Sequence, residues 1–384
     1  MAITTDIAGW ARADRVLCLR LDNMGDVLMT TPAMRALYES GPPDRQLTLL
    51  ASRQGAALAP YLPDMAEVIT LDAPWVKHPH TDVRELRRTA AILRRRRYDA
   101  AVIFTVYSQN PLPAALLCHL AGIPLVLAHC RENPYHLLSH WVPETEPAAG
   151  IRHEVQRQLD LVAAVGAHTT NPRLSFRTCS TDRAILRTKL AQLGVATGRG
   201  WVVVHPGASA PSRRYGEDGF ARAVSLLDTG GRAVVFTGAA DERQLAACII
   251  ARCGEHGSSC FNTAGLLSLG ELACLIEDAD LLISNNTGPV HLAAALQTPV
   301  VDLYALTNPQ HTPWGVTNRV LSHDVPCKYC YRSVCPHGHN ACLNGVAPEE
   351  VAAAAQQLLE TVCTRLESTP HSTIVLPLWS PMAG

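Results

Sequence analysis

A chain of 384 residues is longer than one ordinary hydrophobic core takes in, so two domains with a cleft between them are expected. Apolar residues make up 47% and charged residues 17%, which excludes a disordered chain, and a net charge of −1 excludes nucleic acid as a bulk electrostatic partner. The opening stretch MAITTDIAGWARADR has no charged-then-apolar leader pattern, and the most apolar long segment, 114–126, is broken by His119, Gly122 and Pro124 and is too short for a bilayer, so a cytoplasmic protein is expected.

Short β-branched or apolar runs alternate with segments of helical period, the pattern of parallel sheets with crossover helices. In the first half, strands are predicted over 15–19, 46–50, 67–70, 100–104 and 125–128, and helices over 31–39, 54–61, 82–97 and 113–121. A helix over 152–167 and the Thr/Asn/Pro-rich AHTTNPRLSF place a boundary near 168–175. In the second half, strands are predicted over 201–205, 232–237, 281–284 and 300–304, and helices over 219–228, 242–252, 269–278 and 291–296. This gives an α/β chain with a first doubly wound domain over 1–170, a second over 171–347, and a last helix, 348–366, expected to pack back on the first. The remainder to 384 has no helical period, and no function is assigned to it.

In doubly wound sheets, ligands bind outside the carboxyl ends of the strands, and three loops there have suitable chemistry. In DNMGDVLMTTP, a helix starting at Pro32 makes Thr31 the cap and leaves Asp26 free; a helix starting at Val27 makes Asp26 the cap and Pro32 a break in the bonding. The loop is not GxGxxG, which argues against a dinucleotide. In VVVHPGASAPSRRYGEDGF, a buried strand ends in His205-Pro206-Gly207, and small hydroxyl-bearing residues lead to Arg213-Arg214, a make-up suited to phosphate. In LLISNNTGPVHLAAAL, a polar turn precedes a helix opened by Pro289, whose first N–H groups suit an anion, although Asn286 and Thr287 also read as a simple cap. The four arginines at 94–97 fit a helix terminus, where cations complement the dipole, as well as a nucleic-acid or membrane surface.

Taken together, RLDNMGDVLMTTPAMRAL, HPGASAPSRRY and SNNTGPVHLAAALQTPVVDLY resemble family 9 of the glycosyltransferases, the ADP-heptose:lipopolysaccharide heptosyltransferases and their relatives, over about residues 15–360. The resemblance implies the GT-B architecture, two Rossmann-like domains facing a cleft, with inverting transfer and no catalytic metal or other cofactor. It implies that Asp26 is the general base and that Arg213 meets the donor phosphate, with Ala208 and Ser209 in the phosphate loop. Glu242 is similar in position to the acid that holds the ribose, Leu267 to the residue beside the adenine, and Asn286, Thr287, Gly288 and His291 to the donor-binding turn. One departure stands out: heptosyltransferases usually have Asp-Thr-Gly where this chain has Asn286-Thr287-Gly288, and an amide is not a charged acceptor for sugar hydroxyls. The expected partners are a nucleotide-sugar donor, probed first as ADP-heptose, and a glycan or glycolipid acceptor at the inner membrane surface.

The acceptor loops carry Gln109, Arg131, Asn133 and His136, which suit sugar hydroxyls or phosphates. Of thirteen cysteines, four gather as Cys327-x2-Cys330-x4-Cys335-x6-Cys342 with His337 and His339 nearby. Structural zinc or an iron–sulfur centre, packed thiols, and disulfides are all compatible with that spacing, and any metal there is expected to hold the loop rather than to catalyse. A sugar-nucleotide epimerase on the same fold and a non-catalytic nucleotide-sugar or metal-binding protein are the rival functions.

Overall fold

A computed structural model describes residues 7–76 and 82–368. The first half forms α1 (Ile7–Arg12), β1 (Arg15–Arg20), α2 (Met24–Glu39), β2 (Gln46–Ala51), α3 (Arg53–Ala56), β3 (Glu67–Thr70), α4 (Val83–Arg96), β4 (Ala100–Ile103), α5 (Leu112–Leu120), β5 (Leu125–Cys130), β6 (His140–Pro143) and α6 (Glu154–Ala163). The second half forms α7 (Ser180–Gln192), β7 (Trp201–His205), α8 (Glu217–Leu226), β8 (Ala233–Phe236), α9 (Arg243–Arg252), β9 (Cys260–Asn262), α10 (Leu269–Glu277), β10 (Leu281–Asn285), α11 (Gly288–Leu296), β11 (Val300–Leu303), β12 (Asn318–Leu321), α12 (Ala341–Asn344) and α13 (Pro348–Ser368). Each half is one six-stranded parallel sheet, ordered β3-β2-β1-β4-β5-β6 and β12-β11-β10-β7-β8-β9. These are two Rossmann-like units in the GT-B arrangement.

The strand order reverses between β1 and β4 in one sheet and between β7 and β10 in the other, which opens a crevice at the carboxyl ends of those strands. All three loops singled out in the sequence leave from there, after β1, β7 and β10. The central strands were legible because they are buried on both faces: β1, β4, β7 and β10 are apolar almost throughout. Strands β6, β9 and β12 were not expected. They are half-exposed edge strands of three or four residues without an apolar run, and only pairing with a neighbour makes them strands.

The structure corrects two expectations. Helix α2 begins at Met24, capped by Asn23, so neither Thr31 nor Asp26 is the cap residue and Pro32 lies inside the helix. Proline cannot donate to the carbonyl of Leu28; the Thr31 hydroxyl donates to it instead, at 2.6 Å, and so offsets the missing bond. Helix α13 does not return to the first unit. Its Val351, Ala355, Leu358 and Leu359 belong to the core of the second, against α8 and β10–β12. The tail beyond 368 lies outside the described residues.

An apolar core runs from the first sheet through Val27, Leu28 and Met34 of α2 into Val290 and Leu292 of α11 and the second sheet. The two units therefore meet through the very helices whose first turns carry the site. Their approach is close: a Cβ on Gly25 would come within 2.7 Å of the His291 ring, so glycine is required where α2 opens towards its neighbour.

Candidate active site

Between the units lies a cavity of about 370 Å³. Its walls include Asp26 from α2, Ala208, Ser209 and Arg213 from the loop after β7, Glu242 beside α9, and Asn286, Thr287, Gly288 and His291 at the start of α11. Nine expected residues, separated by up to 265 positions, thus line one space. Leu267 does not line it; that side chain packs, partly buried, on the apolar core.

Asp26 occupies the first turn of α2. One carboxylate oxygen accepts the N–H of Asn23 at 3.2 Å, and the other lies 3.4 Å from the guanidinium of Arg20. Arg20 is wholly buried and also faces Asp22 at 3.0 Å and Glu154 at 2.7 Å. One cation thus holds three carboxylates. Burial pushes the Asp26 carboxyl above the usual carboxylate range, against the pull of Arg20 and of Arg213 across the cavity. Glu154 is the reverse case: burial raises it, but Arg20 wins and keeps it below the usual range.

The facing wall is built from loops tied to one another. Asn285, at the end of β10, donates to the carbonyl of Pro206 at 2.7 Å and accepts the N–H of Tyr215 at 3.0 Å, so the turn before α11 is fixed to the loop after β7. Arg214 donates to the carbonyl of Ala208 at 2.7 Å and braces that loop from within. Arg213 is different: it is half-buried, its guanidinium makes no hydrogen bond or ion pair with any described residue, and its charge bears on Asp26, His291 and His311. Gly207 lies so close to the Glu242 carboxylate that a Cβ there would come within 2.1 Å of it. Burial holds His205 and His311 down to about 4 and His291 to about 3, so all three imidazoles are neutral at physiological pH.

Two further cavities sit in the first unit and share Ser108, Gln109 and Asn110 as a common wall. One, of about 260 Å³, is lined by Leu21, Trp75, Val76, Phe104 and Pro113, with Asp22 and Gln109 at its polar side. The other, of about 110 Å³, brings Gln109 together with Arg131, Tyr107, His129 and Glu144. Gln109 donates to Asp22, which shares the Arg20 guanidinium with Asp26. Asn133 and His136 line neither; both are exposed, and the Asn133 side chain accepts the N–H of Tyr135.

Cys327, Cys330, Cys335 and Cys342 are free thiols of intermediate exposure. Among the described residues no three His, Cys, Asp or Glu side chains are grouped so as to hold a metal ion. The segment acts as a strap. Ser212 donates through its N–H to Ser333 and through its hydroxyl to Arg332, Tyr329 and Tyr331 pair with the backbone of Leu306 and Thr307, and the Tyr331 hydroxyl reaches that of Tyr107 in the first unit.

Arg20, Asp22, Glu154, Asn285, Asp302 and His311 were missed in the sequence. Arg20 and Asp302 did leave a signal, a charged residue inside an otherwise apolar strand run, which needs a partner when buried.

Comparison with known proteins gives a consistent result. The family model described as "Glycosyltransferase family 9 (heptosyltransferase)" matches residues 86–341. The chain is 26% identical over 305 residues to lipopolysaccharide heptosyltransferase 2 of Escherichia coli K12, covering 78% of this chain and 85% of that one. Its fold is similar to that of a family 9 glycosyl transferase from Veillonella parvula, with a TM-score of 0.76, 19% identity, and 91% and 98% of the two chains covered. The E. coli ADP-heptose lps heptosyltransferase II is similar in fold too, with a TM-score of 0.70, 23% identity, and 90% and 99% covered.

Proposed function

The chain belongs to glycosyltransferase family 9, and from that premise we propose that it is an inverting, metal-independent enzyme that moves a heptose from ADP-heptose to a lipopolysaccharide-core or related glycan acceptor. What carries the reading is the gathering, in one cavity, of a carboxylate clamped by a buried arginine and an unpaired arginine facing it.

An acceptor hydroxyl becomes a competent nucleophile as its proton leaves. Asp26 takes that proton while the oxygen attacks the anomeric carbon from the side opposite the diphosphate, so the anomeric configuration inverts. A carboxyl lifted by burial is a stronger base than an ordinary carboxylate, and Arg20 keeps it ionised. Charge builds on the leaving ADP, where Arg213 and the N–H groups at the start of α11 stabilise it without a divalent ion. The neutral histidines add hydrogen-bonding groups without competing charge. The acceptor lies along the two smaller cavities, with Gln109 and Arg131 meeting its polar groups.

A lipid-linked acceptor brings the enzyme to a membrane surface. No helix among the described residues is long and apolar enough to cross one. Supporting a peripheral docking, Arg84, Arg87, Arg88, Arg94 and Arg95 of α4 are exposed with no ion pair among the described residues, and the neighbouring α5 exposes Leu116 and Leu120. Flotation with phosphatidylglycerol vesicles but not with phosphatidylcholine vesicles is expected, and equal recovery from both removes this part. The chemistry is tested by Asp26→Asn with ADP-heptose and a heptose-acceptor glycolipid. ADP affinity should stay near wild type while kcat falls about 10²–10⁴-fold; a turnover close to wild type takes Asp26 out of the mechanism.

A further inference from the structure

Asp302 is the most conspicuous buried acid outside the Arg20 cluster. It sits in the middle of β11, is 0% exposed, and shares no ion pair with any described residue. Its carboxylate accepts one hydrogen bond, from the Asn286 side-chain amide at 2.9 Å, and its second oxygen is buried without a partner among the described residues. A carboxyl in such a place destabilises the fold, and burial lifts its pKa well above the usual range. Something other than stability accounts for it.

The geometry around Asn286 supplies the reason. The same Asn286 atom that meets Asp302 also lies 2.9 Å from the backbone carbonyl of His311. A carbonyl only accepts, so that atom is the amide nitrogen, and its orientation is fixed by chemistry rather than by assignment. Both amide hydrogens are then engaged, one by Asp302 and one by His311. The remaining polar atom, Oδ1, receives no hydrogen bond from any described residue, and Asn286 lines the cavity.

We infer that Asp302 is a positioning residue that turns Asn286 so that its side-chain oxygen, a neutral acceptor with no hydrogen of its own, is presented to a hydroxyl of the sugar being transferred. The ligand class follows from the acceptor. An ionised diphosphate has no hydrogen to give to Oδ1, whereas a sugar hydroxyl has one, so this contact reads the sugar and not the nucleotide. Sites that accept from a substrate hydroxyl discriminate against analogues lacking it, because the buried acceptor is left unpaired. Position 286 therefore needs an amide: a carboxylate there would face both Asp302 and the His311 carbonyl.

This rests on the cavity being a nucleotide-sugar site, and the experiment separates the two. Dissociation constants for ADP and for ADP-heptose are measured by calorimetry on wild type, Asp302→Leu, Asp302→Asn and Asn286→Ala, with ADP-glucose and UDP-glucose as further donors. A wild type that binds none of the sugar nucleotides better than its free nucleotide overturns both. If another sugar wins over ADP-heptose, the heptose reading fails, and the same ratio of sugar nucleotide to nucleotide is read with the winner. Asn286→Ala and Asp302→Leu should leave ADP binding within about twofold and reduce the preference for the sugar nucleotide about three- to tenfold, the worth of one neutral hydrogen bond. Asp302→Asn keeps an acceptor under the amide and should behave as wild type. The melting temperature of Asp302→Leu should equal or exceed that of wild type. Unchanged preference in Asn286→Ala, or equal weakening of nucleotide and sugar nucleotide in Asp302→Leu, overturns the inference; Asn286→Ala decides it even where Asp302→Leu does not fold.

Discussion

The two walls of the cleft solve opposite electrostatic problems. On the first unit, Arg20 stands among Asp22, Asp26 and Glu154, so the wall is built around charge held in place. On the second, three histidines are kept neutral, Asn286 stands over an acid cut off from water, and the Arg213 guanidinium faces the space unpaired among the described residues. The contrast matches what each wall has to handle in the transfer we propose. A base must stay ionised in a poorly solvated place, which takes a structural cation, whereas a dianionic ligand needs a cation that no protein group has already neutralised.

The largest effect should come from breaking the first wall. Arg20→Leu leaves three carboxylates without their common partner, and removing one side of a buried ionic cluster typically costs about 3–5 kcal/mol. Urea denaturation should show that loss, and turnover should fall with it because Asp26 is no longer held. Should Arg20→Leu unfold at the same urea concentration as wild type, the cluster is not the structural element described here.

Arg213→Ala probes the opposite wall and should give the opposite pattern. A hydrogen bond from a charged donor contributes about 1.5–3 kcal/mol, so ADP affinity should drop on the order of ten- to a hundredfold. Stability should hardly move, since the guanidinium makes no hydrogen bond or ion pair with any described residue. Arg213→Lys keeps the charge but not the planar fork and should recover part of the affinity. Calorimetry with ADP and a urea curve on the same sample separate the outcomes. Loss of stability with unchanged ADP affinity would reverse the assignment of the two arginines.

What the sequence revealed divides along the same line. Groups that line the cleft lie in loops and first helical turns whose residue types have few structural uses, and Asp26, Arg213 and Asn286 through Gly288 stood out for that reason. Groups that hold those residues do not announce themselves. Arg20 and Glu154 are 134 positions apart, and no periodicity links them. His311 reaches the cavity only because the segment after β11 wraps the Tyr304 hydroxyl, which accepts the His311 N–H at 3.2 Å. The same limit explains the fold. Strands buried on both faces were legible at once, while β6, β9 and β12 depend on a neighbour that the local sequence does not contain. Asn133 and His136 show the converse error: polar residues in the right loop can still point to water.

The smallest expected effect tests whether the second wall is neutral by construction. His311 stands between the walls; burial lowers its pKa to about 4, with Glu154 opposing and the Arg213 and Arg20 charges assisting. An unfolded histidine titrates near 6.5. Above that value neither state binds a proton and stability is independent of this group; between about 6.5 and about 4 the unfolded chain takes up a proton that the folded chain refuses, so stability is lost as pH falls. One such group contributes a slope of at most about 1.4 kcal/mol per pH unit in that window. The raised acids Asp26 and Asp302 act in the other direction, because their folded forms hold protons to higher pH, so the total curve alone decides nothing. The difference does. His311→Gln should lose roughly 1 kcal/mol less stability than wild type between pH 7.5 and 5.5, read from urea curves at the two values. Equal losses would mean that His311 can take up its proton in the folded state, and the wall facing Arg20 would then carry charge of its own.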